Sequence, residues 1–428
     1  MHAMTPETIP AHDTPAQPGE ILAALLVLGK SLFLAGAPGQ RILDSITILN
    51  EKLHGGKLHI FLGFEALVIT METEHGHRVA MCEYALPTGI NGNVITETSR
   101  YLRSLPDGAD PVRVTRDLDA LKIPEPGSPY IALAAMTIFA MIFGFFNHAD
   151  GWALLIIGIS AGIAAFTRTW VFAQGYGYYL AILTTTLVAT ILAALLSQVI
   201  PTGTPLVSLI IPCIIVIPGF QLINGGWEIL RNHLHIGIPR LVVFFNVLAI
   251  MAVGLLAVLL VYAPATDSDG IGFPPGGMLV VSTCMGALAA LCICQVMNAP
   301  RQALVVCILC GAAGRLVRTL IVDATGDMAL GVFCGTLVIS VIALMLCRHW
   351  QLPVALPLVA ASVQFVPGYY IIICLQGMAE IMRNGTTVPF TVVASMISTG
   401  LSSLFISASI VIGTLLPLLI LGKNTRWY

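Results

Sequence analysis

From Tyr130 to Leu421 the chain is a succession of ten apolar stretches: Tyr130–Phe146, Trp152–Phe172, Tyr178–Ile200, Leu206–Ile223, Leu241–Tyr262, Pro274–Met297, Ala303–Val322, Met328–Cys347, Leu352–Leu375 and Pro389–Leu421. Each is long enough to cross about 30 Å of hydrocarbon as a helix. The last is over-long and leaves room for a tilted or re-entrant piece. Backbone polar groups in lipid must be satisfied internally, so only helices or closed barrels can fill such a region. Composition agrees: 57% of residues are apolar and 10% charged, against about a quarter charged in soluble domains. The expected fold is an α-helical polytopic membrane protein with about ten transmembrane helices and a small N-terminal α+β domain.

Two of the stretches are interrupted in the same way. Leu209–Ile217 runs into Pro218-Gly219, then Asn224, Glu228 and Arg231-Asn232. Val366-Pro367-Gly368 is followed by Glu380 and Arg383-Asn384, with a longer spacer. Proline removes a backbone donor and the neighbouring glycine relaxes the chain, so each helix should break there. The broken helix is fourth in each set of five, and the acidic loop 263–275 separates the sets. An odd number of crossings per half turns the second half over, predicting two inverted five-helix repeats, 130–262 and 276–422. Gly158-x-x-x-Gly162 and Gly331-x-x-x-Gly335 offer small-residue faces for close helix contact.

Basic residues set the orientation. With the N-terminal domain in the cytoplasm, the inside loops carry Arg168, Arg231, Arg240, Arg301, Arg348, Lys423 and Arg426. Asp150, Asp267, Asp269, Asp323, Asp327 and Glu380 fall outside, with Arg383 the exception. Both termini, including residues 423–428, are then expected in the cytoplasm and the helices in the inner membrane.

Matched helix breaks in two halves point to a binding site between them. The substrate-binding candidates are Pro218, Gly219, Gln221, Asn224, Gln364, Pro367, Gly368, Tyr369, Tyr370 and Arg318. Amides at a half-helix start suit a carboxylate, and freed carbonyls suit an ammonium group. Kinks that serve packing alone are the other reading. Arg315 and Arg318 share a face of the seventh helix, either snorkelling to outer headgroups or meeting a carboxylate. Glu228, Arg231, Glu380 and Arg383 read as short amphipathic segments at opposite surfaces. Local ion pairs or gating and coupling roles are open for them, as coupling is for Arg315. Asp323 and Asp327 look like loop residues, and no acidic residue stands unambiguously at mid-membrane.

The first 128 residues carry 10 basic and 15 acidic groups, net −5, and the remainder is net +3. An acidic soluble part argues against nucleic-acid binding, which needs a basic surface. Residues 1–18 read as a tail, 19–123 as the α+β domain and 124–129 as a Pro-rich linker. Helices are expected at Glu20–Ala37, Pro38–His54, Asn91–Leu105 and Val112–Lys122, and strands at Lys57–Thr70 and Arg78–Leu86. His75 and His77, near Cys82 and Glu83, have metal-type side chains, but a polar hairpin turn accounts for them. Cys307-x-x-Cys310 lies among apolar neighbours and reads as packing. Neither a cofactor nor a metal is expected, and no catalytic motif appears.

Gly36-Ala37 with Arg41, the stretch Phe64–Thr70, Ile217-Pro218-Gly219 with Leu222-Ile223-Asn224, Gly314 with Arg318, and Val366-Pro367-Gly368 resemble the threonine/serine exporter family. The likeness runs from about Gly19 to the C-terminus and matches the fused form, in which both halves share one chain. It implies secondary export of small amino acids such as threonine and serine, as an antiporter driven by protons. Two-component relatives are associated with succinate, so a dicarboxylate exporter is the alternative cargo reading. Arg315 stands where many relatives carry a histidine. The family's soluble domain has been suspected of hydrolase character. A membrane-anchored hydrolase is therefore the alternative from another class, although no nucleophile–base pair is evident. Expected partners are a small amino acid or carboxylate, protons and membrane lipid, with a homo-oligomer left open.

Overall fold

The computed structural model describes residues 17–74, 76–85, 89–121, 128–262 and 275–421. The tail, most of the linker and of the 263–275 loop, His75 and the C-terminal segment fall outside these ranges. The N-terminal domain comprises α1 (Pro18–Leu34), α2 (Gly39–Lys52), strands β1 (Leu58–Leu62), β2 (Ala66–Thr73) and β3 (Gly76–Glu83), α3 (Gly92–Ser104) and α4 (Pro111–Leu121). Helix α1 stops three residues before the expected end because Gly36 is left-handed, φ +75°. This lets the Ala37 amide return to the Leu32 carbonyl at 3.0 Å and satisfies an end carbonyl.

The sheet corrects the expected strands. Lys57–Thr70 is not one strand: it turns at Gly63, whose amide donates to Ala66 at 2.8 Å. The result is an antiparallel meander β1-β2-β3, with Ile60 opposite Ile69 and Thr70 opposite Val79. One face alternates inward through Leu62, Leu67, Ile69 and Met71, closing a core with α1 and α2 as pleat periodicity requires. Ile236, from the membrane part, belongs to this same core.

The membrane part comprises α5 (Pro129–Phe146), α6 (Gly151–Ala173), α7 (Tyr178–Val199), α8 (Pro205–Ile210), α9 (Gly219–Leu230) and α10 (Leu234–Leu259). It continues with α11 (Pro275–Val296), α12 (Arg301–Thr325), α13 (Met328–Trp350), α14 (Ala355–Ser362), α15 (Gly368–Asn384) and α16 (Phe390–Leu421). Eight helices among the described residues are long and apolar enough to span a membrane, and ten spans result if each bent pair counts once. The over-long last stretch is one helix of 32 residues.

The same neighbours recur in both sets: α5 packs on α6, α6 on α7, α7 on α10 and α9 on α10, as α11 packs on α12, α12 on α13, α13 on α16 and α15 on α16. Helices α5 and α11 meet across the middle. Small residues permit the tight contacts. A Cβ on Gly162 would stand 3.2 Å from Thr137 on α5, and one on Gly335 would stand 3.1 Å from Arg318 on α12.

Candidate functional site

The two breaks share one backbone geometry. Before each proline the chain tightens into a 3₁₀ turn, Ile211–Val216 and Val363–Phe365. Pro218 (φ −82°, ψ 70°) and Pro367 (φ −78°, ψ 46°) then sit at the centre of inverse γ-turns. The following glycine amides donate two residues back, Gly219 to Ile217 at 2.9 Å and Gly368 to Val366 at 2.8 Å. A proline cannot donate to the preceding turn, so the axis reorients, by 58° at the first break and 43° at the second.

The breaks also touch each other. A Cβ on Gly219 would meet Val366 and Val363 at 3.2 and 3.3 Å, and one on Gly368 would meet Ile217 at 2.7 Å. Cavities lie to either side. On the side of the N-terminal domain, a cavity of about 140 Å³ is lined by Ile214–Phe220, Phe139, Phe143, Val363, Val366, Gly368, Arg168 and Tyr178, with Gly89 and Ile90 of the domain. Toward the other face, a more polar cavity of about 460 Å³ is lined by Arg315, Arg318, Asp323, Ser282, Thr319, Gln364, Pro367, Tyr369, Tyr370 and His148. Phe143 and Val366 line both.

Arg315 is 5% exposed. Its Nε donates to Ser282 Oγ at 2.9 Å, and its guanidinium lies 3.4 Å from the centre of the Phe146 ring. Arg318 reaches the Met328 sulfur. Among the described residues, no carboxylate forms an ion pair with either arginine. Gln364 donates through Nε2 to Ala361 and Gly311 at 2.9 and 3.3 Å. Its buried Oε1 has no hydrogen-bond partner among the described residues. The cavity wall therefore presents two cations and an acceptor that lacks a donor, a set suited to an anionic or zwitterionic guest.

Two family models match the chain. One, for a threonine/serine exporter, covers residues 23–262. The other, described as Threonine/Serine exporter, ThrE, covers residues 282–420. The chain belongs to the threonine/serine exporter family. The two models between them span the N-terminal domain and both sets of helices, which is the fused arrangement. No curated protein matches this exporter-family chain, and no solved structure does.

Of the residues singled out in the sequence, the fold brings Pro218, Gly219 and Gly368 to the first cavity and Gln364, Pro367, Tyr369, Tyr370, Arg315 and Arg318 to the second. Gln221 and Asn224 are buried beside neither. Asn224 instead donates to the Gly36 carbonyl at 3.3 Å. Glu228 heads no amphipathic surface segment: it lies within α9 and is 1% exposed. It accepts from the Gly39 amide at 2.5 Å and contacts His233 Nδ1 at 3.1 Å. Arg231 follows at the end of α9, and Glu380 and Arg383 lie in the last turns of α15, with no ion pair between them among the described residues. The exporter-family motif Gly36-Ala37 is thus a contact with α9 and α10, since Ala37 also accepts from Arg240 at 3.1 Å.

Sequence reasoning passed over several cavity residues. Asp323 read as a loop residue, but it sits in α12 and lines the second cavity. Arg168 read only as an inside charge. It faces the first cavity, with Nη1 3.5 Å from the Ile215 carbonyl. Ser282 and Phe143 carry no pattern that would separate them from packing residues. His77, Cys82 and Glu83 form no metal-type cluster with other described residues.

Proposed function

We propose that the chain is a secondary active exporter of small amino acids of the threonine and serine type. Cargo would bind between two halves of opposite orientation and be exposed to each side in turn. The observation that carries this reading is the pair of matched inverse γ-turns packed on each other with a cavity on either side. Contacts support the inversion. The α7–α8 connection hydrogen-bonds the α5–α6 connection through Asp150, whereas the α13–α14 connection meets the N-terminal domain at Arg103. The first broken helix therefore starts away from the domain and the second starts beside it, as an inverted repeat requires.

In this reading the cargo carboxylate meets Arg315 and Arg318, and its ammonium group meets Gln364 Oε1 and Asp323. Coupling to the proton gradient is part of the proposal, with Asp323 at the cavity wall as its carboxylate. Two guanidiniums that form no ion pair with a described carboxylate also fit a dicarboxylate, the second reading. Efflux of labelled threonine, serine and succinate from proteoliposomes, with and without a pH gradient, tests both. Threonine or serine efflux that rises with the gradient is the expected result. Efflux of succinate alone would replace the amino-acid reading, and no difference with the gradient would remove proton coupling.

A further inference from the structure

We propose that the N-terminal domain is the gate of the cavity on its own side of the membrane, an inference that rests on the transport reading above. The domain is anchored to both sets of helices at once. On the first set, the Gly36, Ala37 and Gly39 backbone holds Asn224, Arg240 and Glu228, and Phe61 stacks on His235 at 5.3 Å.

On the second set, the amides at the start of α3 cap the chain after α11. Gly92 donates to Met297 at 2.7 Å and Asn93 to Asn298 at 2.9 Å. A Cβ on Gly92 would stand 3.0 Å from the Ala299 backbone, so any larger residue would push on this contact. Arg103 adds contacts at 3.2 Å to Gln351. Between the anchors, Gly89 and Ile90 of the domain line the first cavity.

An element that ties two moving halves together and walls off the space between them must release one anchor before that space can open. The buried anchor at Glu228 is a charge-assisted hydrogen bond, of a kind stronger than neutral ones. The anchor at Met297 and Asn298 joins backbone to backbone. Opening therefore begins with detachment of the domain from one half, and closure with its return.

The test uses the full-length protein in inside-out vesicles. A cysteine replacing Val296, in the first cavity, is labelled with a membrane-impermeant maleimide. Cysteine pairs at Arg103 with Gln351 and at Phe61 with His235 are bridged by a bis-maleimide whose spacer contains a cleavable disulfide. With both bridges closed, labelling should slow at least tenfold and threonine uptake into the vesicles, the exported direction, should fall to background, and cleavage should restore both. Glu228→Gln should speed labelling several-fold. Unchanged labelling and uptake with both bridges closed would overturn the gate. If the unbridged protein moves none of the tested cargo, the transport reading fails, and the labelling rates still decide whether the domain closes the cavity.

Discussion

Arg315 shows how a buried cation is tolerated when no described carboxylate forms an ion pair with it. Its hydrogen bond to Ser282 and its stack on Phe146 recover part of the cost of leaving water, the stack contributing up to about 2 kcal/mol in a desolvated setting. Replacing it by methionine should leave folding intact, because a buried charge exchanged for an apolar side chain is often neutral or stabilising. Apparent cargo affinity should fall roughly 10- to 100-fold, the worth of a hydrogen-bonded charge, measured as the concentration dependence of efflux. Arg315→Lys should recover little, because the ammonium lacks the planar fork that donates and stacks together.

In the connection between α5 and α6, Asp150 caps α6 and also accepts from Thr202 at 2.7 Å and Gly203 at 2.6 Å. Partial burial pushes its carboxyl upward, yet the hydrogen bonds from Ala153, Thr202, Gly203 and Trp152 outweigh it and hold the group below its ordinary value. Its contribution is therefore complete above about pH 4 and fades as acid titrates the folded carboxylate. Asp150→Ala should cost about 2 kcal/mol at neutral pH, seen as a lower Tm in detergent, and the gap to the unsubstituted protein should shrink below pH 4. The arginine pair was legible as charges at i and i+3 in an apolar run. Its partners were not, because Phe146, Ser282 and Gln364 come from three other elements.

At the scale of elements, the Pro-Gly dipeptides announced both breaks, since proline withholds a donor wherever it stands. That the breaks would lie against each other depended on tertiary packing no local pattern reports. Contact across the breaks makes a graded prediction. Gly368→Ala crowds only the flexible end of Ile217 and should retain most efflux. Gly368→Leu should abolish efflux while the protein still inserts, and Ile217→Ala should restore part of it. Failure of the pair to differ would separate the function from this contact. The same locality explains the strand error. Gly63 looked like one more residue in a β-rich run, and only its hydrogen bond to Ala66 reveals the hairpin. Glu228 was misplaced because an acid near a helix end usually reaches solvent, and the docked domain covers this one.

At the scale of the molecule, eight of the spans followed from hydropathy, ten if each bent pair is one span, and most observed ends fall within a few residues of the expected ones. Docking of the N-terminal domain was illegible, because it runs largely through backbone groups of Gly36, Ala37, Gly39, Gly92 and Asn93, which leave no compositional trace. The two cavities share an aromatic ring and a valine, which line both. Side chains shared in this way stand where a carrier stays closed and a pore would be open. Phe143→Ala should therefore join the compartments into a continuous aqueous path, read as passive leak from loaded vesicles that rises linearly with solute concentration and never saturates.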